Sequence, residues 1–379
     1  MRRLQCLDGL RGILAVYVMA GHLLPFLVLP AAFAPLRAAA SHGLAAVDLF
    51  FALSGLVIVQ SLGGFGDRAG PFLLARAARL FPTYLVVLLA AGLVLALGDP
   101  LSAMPWLSGP GAGHGARAIW QPGWPLPWRA HLLAHLTMTH GLLPHAVLPY
   151  AYVSILGPAW SLSTEWQFYL LIPLLVAAIG GSRQHPFRLA AAFLALAALG
   201  LAAQHVLPAP WRFSRAFLPN AAPYFALGIA STPLFRQPRW ADFAGYALVL
   251  AAVLVFALAR GGGGKLLPPL AWTLCLAVQA APGHVLLRPF ARLLRAGPVL
   301  WLGAVSYPLY LVNEPVQRLL ALVIAPLCGG NGAVFSLAWA PAAVVLPLAA
   351  AWLLHRHVER PSHRWGRAVA ARHALAASF

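Results

Sequence analysis

Charge is what this chain lacks. Only 9% of its 379 residues are charged, where an ordinary soluble domain carries about a quarter. Acids are scarcest, with 8 Asp and Glu against 26 Lys and Arg, and Lys265 is the only lysine. With 61% hydrophobic residues and a mean hydropathy of +0.78, the composition fits a polytopic membrane protein and excludes a soluble domain. The formal charge of +18 does not make a nucleic-acid partner. Its arginines sit in short loops between apolar runs, which is the positive-inside pattern. Cysteine is scarce too: Cys6, Cys275 and Cys328 have no metal-ligand spacing and no need to pair. A metal is not expected either. His131, His135, His140 and His145 share one loop, but no carboxylate or cysteine completes a ligand set, and a wet loop tolerates histidine. The first apolar run has no small-x-small cleavage site and reads as a retained span. Internal repeats and an appended soluble domain are also missing, so residues 1–379 are expected to form one membrane domain.

What is present is a series of long apolar runs. Ten stretches of about 18 to 25 residues fall near 8–30, 44–64, 80–98, 160–180, 189–206, 219–235, 243–259, 266–282, 297–325 and 333–355. The expected fold is all-α, with about ten transmembrane helices and both termini in the cytoplasm. On that topology the inner segments hold 17 arginines, Arg2, Arg3 and Arg183 among them, against 7 basic residues outside. One long connection, 99–159, lies outside. It carries Trp106, Trp120, Trp124 and Trp128 and an expected interfacial helix near 129–141. A connection of that length is usually functional.

The ionisable groups inside these runs point to chemistry, because each is costly in hydrocarbon. Arg11 and His22 are eleven residues apart, so they share one helix face about 16 Å apart. Measured from the inner span ends, His22, Asp48, Glu165 and Glu314 each reach roughly 21–24 Å, predicting a single layer in the outer half of the membrane. A neutral imidazole is the usual base for a hydroxyl near neutral pH, and a carboxylate on its other nitrogen fixes its tautomer. Asp48 is the first candidate for that orienting carboxylate. Glu165 is expected with His22 and Asp48 among the catalytic groups, and Glu165 or Glu314 could instead hold sugar hydroxyls, beside Tyr169 and Tyr310 at four residues' spacing. Arg76 and Arg79, an i, i+3 pair at the entry to the third span, present two guanidinium forks suited to phosphate, and Arg11 can join them. Asp8 is close enough in sequence to neutralise Arg11, and Glu314 before Pro315 can instead cap a kink.

At these residues the chain resembles the acyltransferase family 3 membrane proteins. The resemblance rests on LDGLRGILAVYVMAGH (7–22), VDLFFALSGLVI (47–58), RAARLFPTY (76–84), WSLSTEWQFYLLIPLL (160–175), SYPLYLVNEPV (306–316) and HVERP (357–361), in that order along the chain. It implies an inner-membrane enzyme of a bacterium that moves an acyl group, acetyl first among the candidates, from cytoplasmic acyl-CoA to a hydroxyl of an exopolysaccharide or lipid-linked glycan. By motif match Arg11 and His22 take the family's essential pair, and Arg76 and Arg79 its donor-handling arginines. Trp160, Ser161, Tyr169, Tyr310 and Glu314 are expected at the acceptor. One departure is plain: the late block often carries His-x-Pro, and this chain has Asn313-Glu314-Pro315. There is also no C-terminal hydrolase-like domain, so the membrane part is expected to do both half-reactions. The alternative from a different class is a proton-coupled transporter of a glycolipid or anion, since buried His–carboxylate layers also relay protons.

Overall fold

The computed structural model describes residues 4–40, 42–108, 114–120, 123–181, 185–261 and 263–376; Arg2, Arg3 and Arg183 of the inner basic set lie outside them. The described residues are helical and contain no strand. In chain order the helices are α1 (Gln5–Leu23), α2 (Ala34–Ala40), α3 (Gly43–Gly64), α4 (Ala69–Ala96), α5 (His114–Ile119), α6 (Trp128–Leu136) and α7 (Ala159–Ile179). They continue with α8 (Pro186–Val206), α9 (Leu218–Ala230), α10 (Trp240–Ala259), α11 (Leu267–Ala280) and α12 (Arg288–Leu294). The chain ends with α13 (Gly297–Leu327), α14 (Gly332–Leu354) and α15 (Arg360–Ala376).

Among the described residues, seven helical stretches are long and apolar enough to cross a membrane: Gln5–Phe26, Ala31–Gly64, Ala69–Ala96, Ala159–Ile179, Pro186–Val206, Trp240–Ala259 and Gly332–Arg372. Three of the ten expected spans fall short for two physical reasons. α9 and α11 have 13 and 14 residues, or about 20 Å of helix. α13 has 31 residues but carries Asn313, Glu314, Gln317 and Arg318 buried at its centre. The outer surface is apolar: Leu85, Leu89, Leu93 and Leu97 recur every four residues along α4 and are all exposed. Such a stripe suits hydrocarbon and has no purpose in water. α9 is the reverse, with all 13 residues buried inside the bundle.

Two close helix pairs organise the interior. α1 lies on α13 at glycines: a Cβ on Gly9 would stand 1.9 Å from Leu294 O, on Gly12 2.6 Å from Gly303 N, and on Gly303 2.1 Å from Asp8 O. α3 lies on α9 in the same way, a Cβ on Gly228 falling 1.9 Å from Ala52 O. Small residues let helix backbones approach where no hydrophobic force drives them together. Both pairs run parallel. Positions 9, 12 and 22 of α1 meet 294, 303 and 313 of the α12–α13 segment, and positions 48 and 52 of α3 meet 224 and 228 of α9.

The third span starts earlier than its apolar run. α4 begins at Ala69, so Arg76 and Arg79 lie two and three turns inside the helix rather than at its entry. Counting apolar residues begins after the last charge, whereas backbone hydrogen bonding continues through arginines that face an internal cavity. The described residues of the 99–159 connection are also ordered. It holds α5, α6 and short 3₁₀ turns at Pro100–Ala103, Pro105–Leu107, His140–Leu142 and Ala151–Val153. Three of its histidines are not in a wet loop, since His131, His135 and His140 are all buried, whereas His145 is exposed. His135 and His140 stack with ring centroids 4.1 Å apart. His131 Nδ1 lies 2.9 Å from Ser154 Oγ, His135 Nε2 3.1 Å from Ala151 O, and His140 Nε2 3.1 Å from Ala159 O. Tyr84 of α4 donates to His135 O at 2.8 Å and pins this layer to the bundle. Burial pushes the His140 imidazole down to about 4 and the His135 ring well below the ordinary histidine value. No group of three metal-ligating side chains forms among the described residues.

Candidate active site

Two small chambers meet at one waist. The lower, about 50 Å³, is lined by Arg11, Arg76, Arg79, Glu165, Tyr169 and Tyr307 among others. The upper, about 70 Å³, runs from Arg11 and Glu165 to Ser161, Ser306 and Tyr310. Arg11, Leu53, Ser54, Glu165 and Tyr307 line both chambers and form the waist.

The lower chamber concentrates positive charge. Arg76 is buried, donates from Nη2 to Ser61 Oγ at 2.8 Å, and hydrogen-bonds Tyr169. Arg79 is close enough to Arg11 and Arg76 for their charges to repel. Three guanidiniums therefore converge on one carboxylate, Glu165, whose Oε1 accepts from Ser54 Oγ at 2.9 Å and from Tyr169 Oη. A cavity with that imbalance is suited to a polyanion such as a phosphate-bearing carrier. Glu359, at the end of a π-helical turn His355–Glu359, adds a second negative charge near Arg11 and is held by His355 Nδ1 at 2.7 Å. Such turns recur at functional sites.

Beyond the upper chamber stands His22. Its Nδ1 is 2.8 Å from Asn313 Oδ1. The amide nitrogen of Asn313 donates to Leu309 O at 2.9 Å and Tyr310 O at 2.7 Å, so the amide has one orientation and its oxygen must accept. His22 therefore carries its proton on Nδ1 and presents a lone pair on Nε2. Tyr310, one turn before Asn313, meets Ser161 Oγ at 2.8 Å and caps the upper chamber on that side.

Several expectations change here. Asp48 does not hold His22; its carboxyl hydrogen-bonds Tyr224 of α9, with Lys265, Arg260 and Arg215 nearby. The expected layer of His22, Asp48, Glu165 and Glu314 does not form. Glu165 sits beside Arg11 and Ser54, at the level of the arginines, because helices of unequal length and start put equal counts from an end at different depths. The transporter alternative rested on that layer. Glu314 takes the Gly157 N–H and pairs with Arg318, which donates to Gly98 O at 3.3 Å, so it braces α13 against the outer connection instead of lining either chamber. Trp160 packs edge-on to Phe51 with Arg215 over its ring and also stands off the lining. Arg11, Arg76, Arg79, Glu165, Tyr169, Tyr310 and Ser161 do come together around the two chambers.

The family model described as an acyltransferase domain matches residues 4–356 of this chain. The chain belongs to that family. Two curated relatives are similar over parts of the acyltransferase-family sequence. One is "Acyltransferase MdmB" of Streptomyces mycarofaciens, 30% identical over 175 residues, 45% of this chain and 39% of that protein. The other is "Protein 2 in picA locus" of Rhizobium radiobacter, 38% identical over 115 residues, 28% of this chain and 56% of that protein. The chain thus spans about two-fifths to just over half the length of these relatives. No solved structure matches it.

Reading the sequence missed four participants of this family member's site. Asn313 was noted only as a departure from histidine. Ser54 and Tyr307 were not singled out, because a hydroxyl or a phenol in an apolar run costs too little to stand out; Glu359, within HVERP, lies beyond the last apolar run, where a charge is ordinary. The signal available for Ser54 was its face: with Val47, Phe50 and Phe51 it lines the upper chamber.

Proposed function

We propose that this chain is an integral membrane O-acyltransferase that moves an acetyl group from acetyl-CoA to a hydroxyl of an exopolysaccharide or lipid-linked glycan, in the inner membrane of a bacterium. The observation that carries the reading is the succession of two chambers from Arg76 and Arg79, past the shared Arg11 and Glu165, to Ser161 and Tyr310; His22 lines neither, but Asn313, which holds it, bonds Tyr310 O. The donor's phosphates engage the three guanidiniums, with Glu165 keeping Arg11 and Arg76 oriented between turnovers. The pantetheine arm passes the waist. The distance from Arg11 to His22, eleven residues or about 16 Å along α1, is within its reach. An upper chamber of about 70 Å³ suits a short acyl group.

The step itself is simple. His22 Nε2 takes the proton of the acceptor hydroxyl while its oxygen bonds to the thioester carbonyl carbon. The carbon–sulfur bond then breaks, and the thiolate takes the proton back from the imidazolium. Asn313 stabilises the charged ring by accepting from Nδ1 throughout. The hydroxyls of Ser161 and Tyr310 hold the acceptor, which enters beneath the 99–159 connection. In this reading α9, α11 and α13 complete ten crossings with both termini cytoplasmic. The parallel pairs support that count: alternation makes the first and ninth spans parallel, and likewise the second and sixth.

The test is incubation of the purified chain with labelled acetyl-CoA and candidate glycans, followed by mass spectrometry of the glycan. Transfer should require His22, so His22→Ala should lose it while eluting as a folded protein; wild-type turnover in that variant would sink the proposal.

A further inference from the structure

A second, larger cavity stands apart from the two chambers that carry this chemistry. A cavity of about 1320 Å³ opens among the start of α1, the end of α3, the segment after α9, and the facing ends of α10, α11 and α12, and it shares no lining residue with the two chambers. Its walls are apolar at Leu234, Phe243 and Leu276. Its polar groups are the neutral amides of Gln5, Gln60 and Gln279, the hydroxyls of Tyr246 and Thr273, and two guanidiniums, Arg236 and Arg295, and no carboxylate lines it. Its floor is braced: Gln279 Oε1 accepts from Cys6 N at 2.9 Å, and Tyr246 Oη and Thr273 Oγ1 are 2.8 Å apart.

The cavity is continuous with the outside of the bundle. Phe243 lines it and is also 48% exposed. With Trp240, Leu248 and Val255, all exposed, Phe243 falls within about 140° of arc on α10. A ligand here meets positive charge, hydrogen-bonding amides and an apolar track leading away along one helix. Those are the requirements of a phosphodiester attached to acyl chains.

We infer that this cavity binds an anionic glycerophospholipid, its phosphate between Arg236 and Arg295 and its chains along the outer face of α10. The glutamine amides meet the glycerol ester carbonyls. A nucleotide carrier is a poorer match, since the cavity opens along an exposed apolar helix face. The inference is independent of the acyl-transfer reading.

The test titrates the detergent-purified full chain with short-chain phosphatidylglycerol or phosphatidylcholine and reads binding by microscale thermophoresis. Phosphatidylglycerol should bind more tightly. The double variant Arg236→Gln, Arg295→Gln should lose about thirty-fold in affinity, each arginine near an anionic headgroup contributing about five-fold. Arg288→Gln, Arg292→Gln, which removes two α12 arginines outside the lining, should keep the preference. If the double variant aggregates, the two single variants are measured instead, each expected to lose about five-fold. Equal binding of the two lipids, a preference that survives losing both lining arginines, or displacement of phosphatidylglycerol by coenzyme A would overturn the inference.

Discussion

Replacing Asn313 by leucine removes the acceptor on His22 Nδ1 while keeping the side-chain volume. Asn313 is fully buried, and its amide nitrogen is committed to Leu309 O and Tyr310 O, so no rearranged asparagine can supply a second arrangement in the wild type. Two costs follow in the variant. A hydrogen bond worth about 1 to 1.5 kcal/mol no longer selects the Nδ1–H tautomer, so the ratio of the two tautomers shifts about five- to thirteen-fold against the one with a free Nε2, and the imidazolium formed in the transition state loses the same acceptor. The Nδ1–H left without a partner costs about 1 to 3 kcal/mol of stability, unless the ring flips its proton to Nε2, which makes it useless as a base. The predicted outcome is a kcat for acetyl transfer lowered at least about ten-fold with an unchanged KM for acetyl-CoA, because the arginine chamber is a span away. Asn313→Asp keeps an acceptor for Nδ1 and should keep the Nδ1–H tautomer, but its second oxygen faces Leu309 O and Tyr310 O without a donor, so the melting temperature should fall. Nitrogen-15 histidine spectra, with His22 assigned by difference against His22→Ala, should show a protonated Nδ1 in the wild type and in Asn313→Asp, and a protonated Nε2 in Asn313→Leu. A leucine variant with wild-type kcat would refute the reasoning, and so would one whose His22 keeps its proton on Nδ1.

Three further outcomes follow from the same geometry. Arg79→Gln should raise the KM for acetyl-CoA by about five- to ten-fold with a smaller effect on kcat, and Arg76→Lys should also weaken binding, because an ammonium cannot reproduce the guanidinium's bonds to Ser61 and Tyr169; steady-state kinetics separate the two. Gly303→Ala puts a Cβ 2.1 Å from Asp8 O and should lower the melting temperature sharply, whereas Gly64→Ala, which meets nothing within 4 Å, should leave it nearly unchanged. The buried His135–His140 pair makes the outer layer acid-sensitive: with folded-state values below the ordinary 6.5, the unfolded chain takes up protons first, so stability is full above about pH 6.5 and falls as pH drops toward 4. Melting temperature against pH should show that decline, and His140→Gln should flatten it.

The sequence exposed this site where burial of a charge is expensive and hid it where it is not. Arg11, Arg76 and Glu165 stood out because an ion in an apolar run demands a reason, and all three line the lower chamber. Asn313 is neutral and cheap by comparison, and only the fold reveals that it holds His22. Helix positions were legible for the same reason that depths were not. Apolar length locates a span to within a few residues, but depth requires knowing where each helix begins relative to its neighbours, and buried arginines let α4 begin 11 residues before its apolar run. The histidines of the outer connection misled in the opposite direction, because polarity alone cannot distinguish a wet loop from a packed layer beneath one.

The glycine contacts tie these observations together. Arg11 and His22 belong to α1, whereas Tyr307, Tyr310 and Asn313 belong to α13, so each end of the path depends on both helices. Gly9, Gly12 and Gly303 leave no space for even one methyl between the two backbones, which fixes both their separation and their axial register. A slip of one residue, about 1.5 Å, would stretch the 2.8 Å His22–Asn313 bond to about 3.2 Å or more and weaken it, and would shift Arg11 against Tyr307 by the same amount. The two sites are therefore coupled through a rigid rail. A bulky substitution at Gly303, far from His22 in the chain, should disturb donor binding and proton transfer together, whereas Asn313→Leu disturbs proton transfer alone. Measuring KM and kcat in both variants distinguishes a rail from two independent sites: a Gly303→Ala protein that stays folded and loses only one of the two properties would mean that the ends of the path are positioned separately.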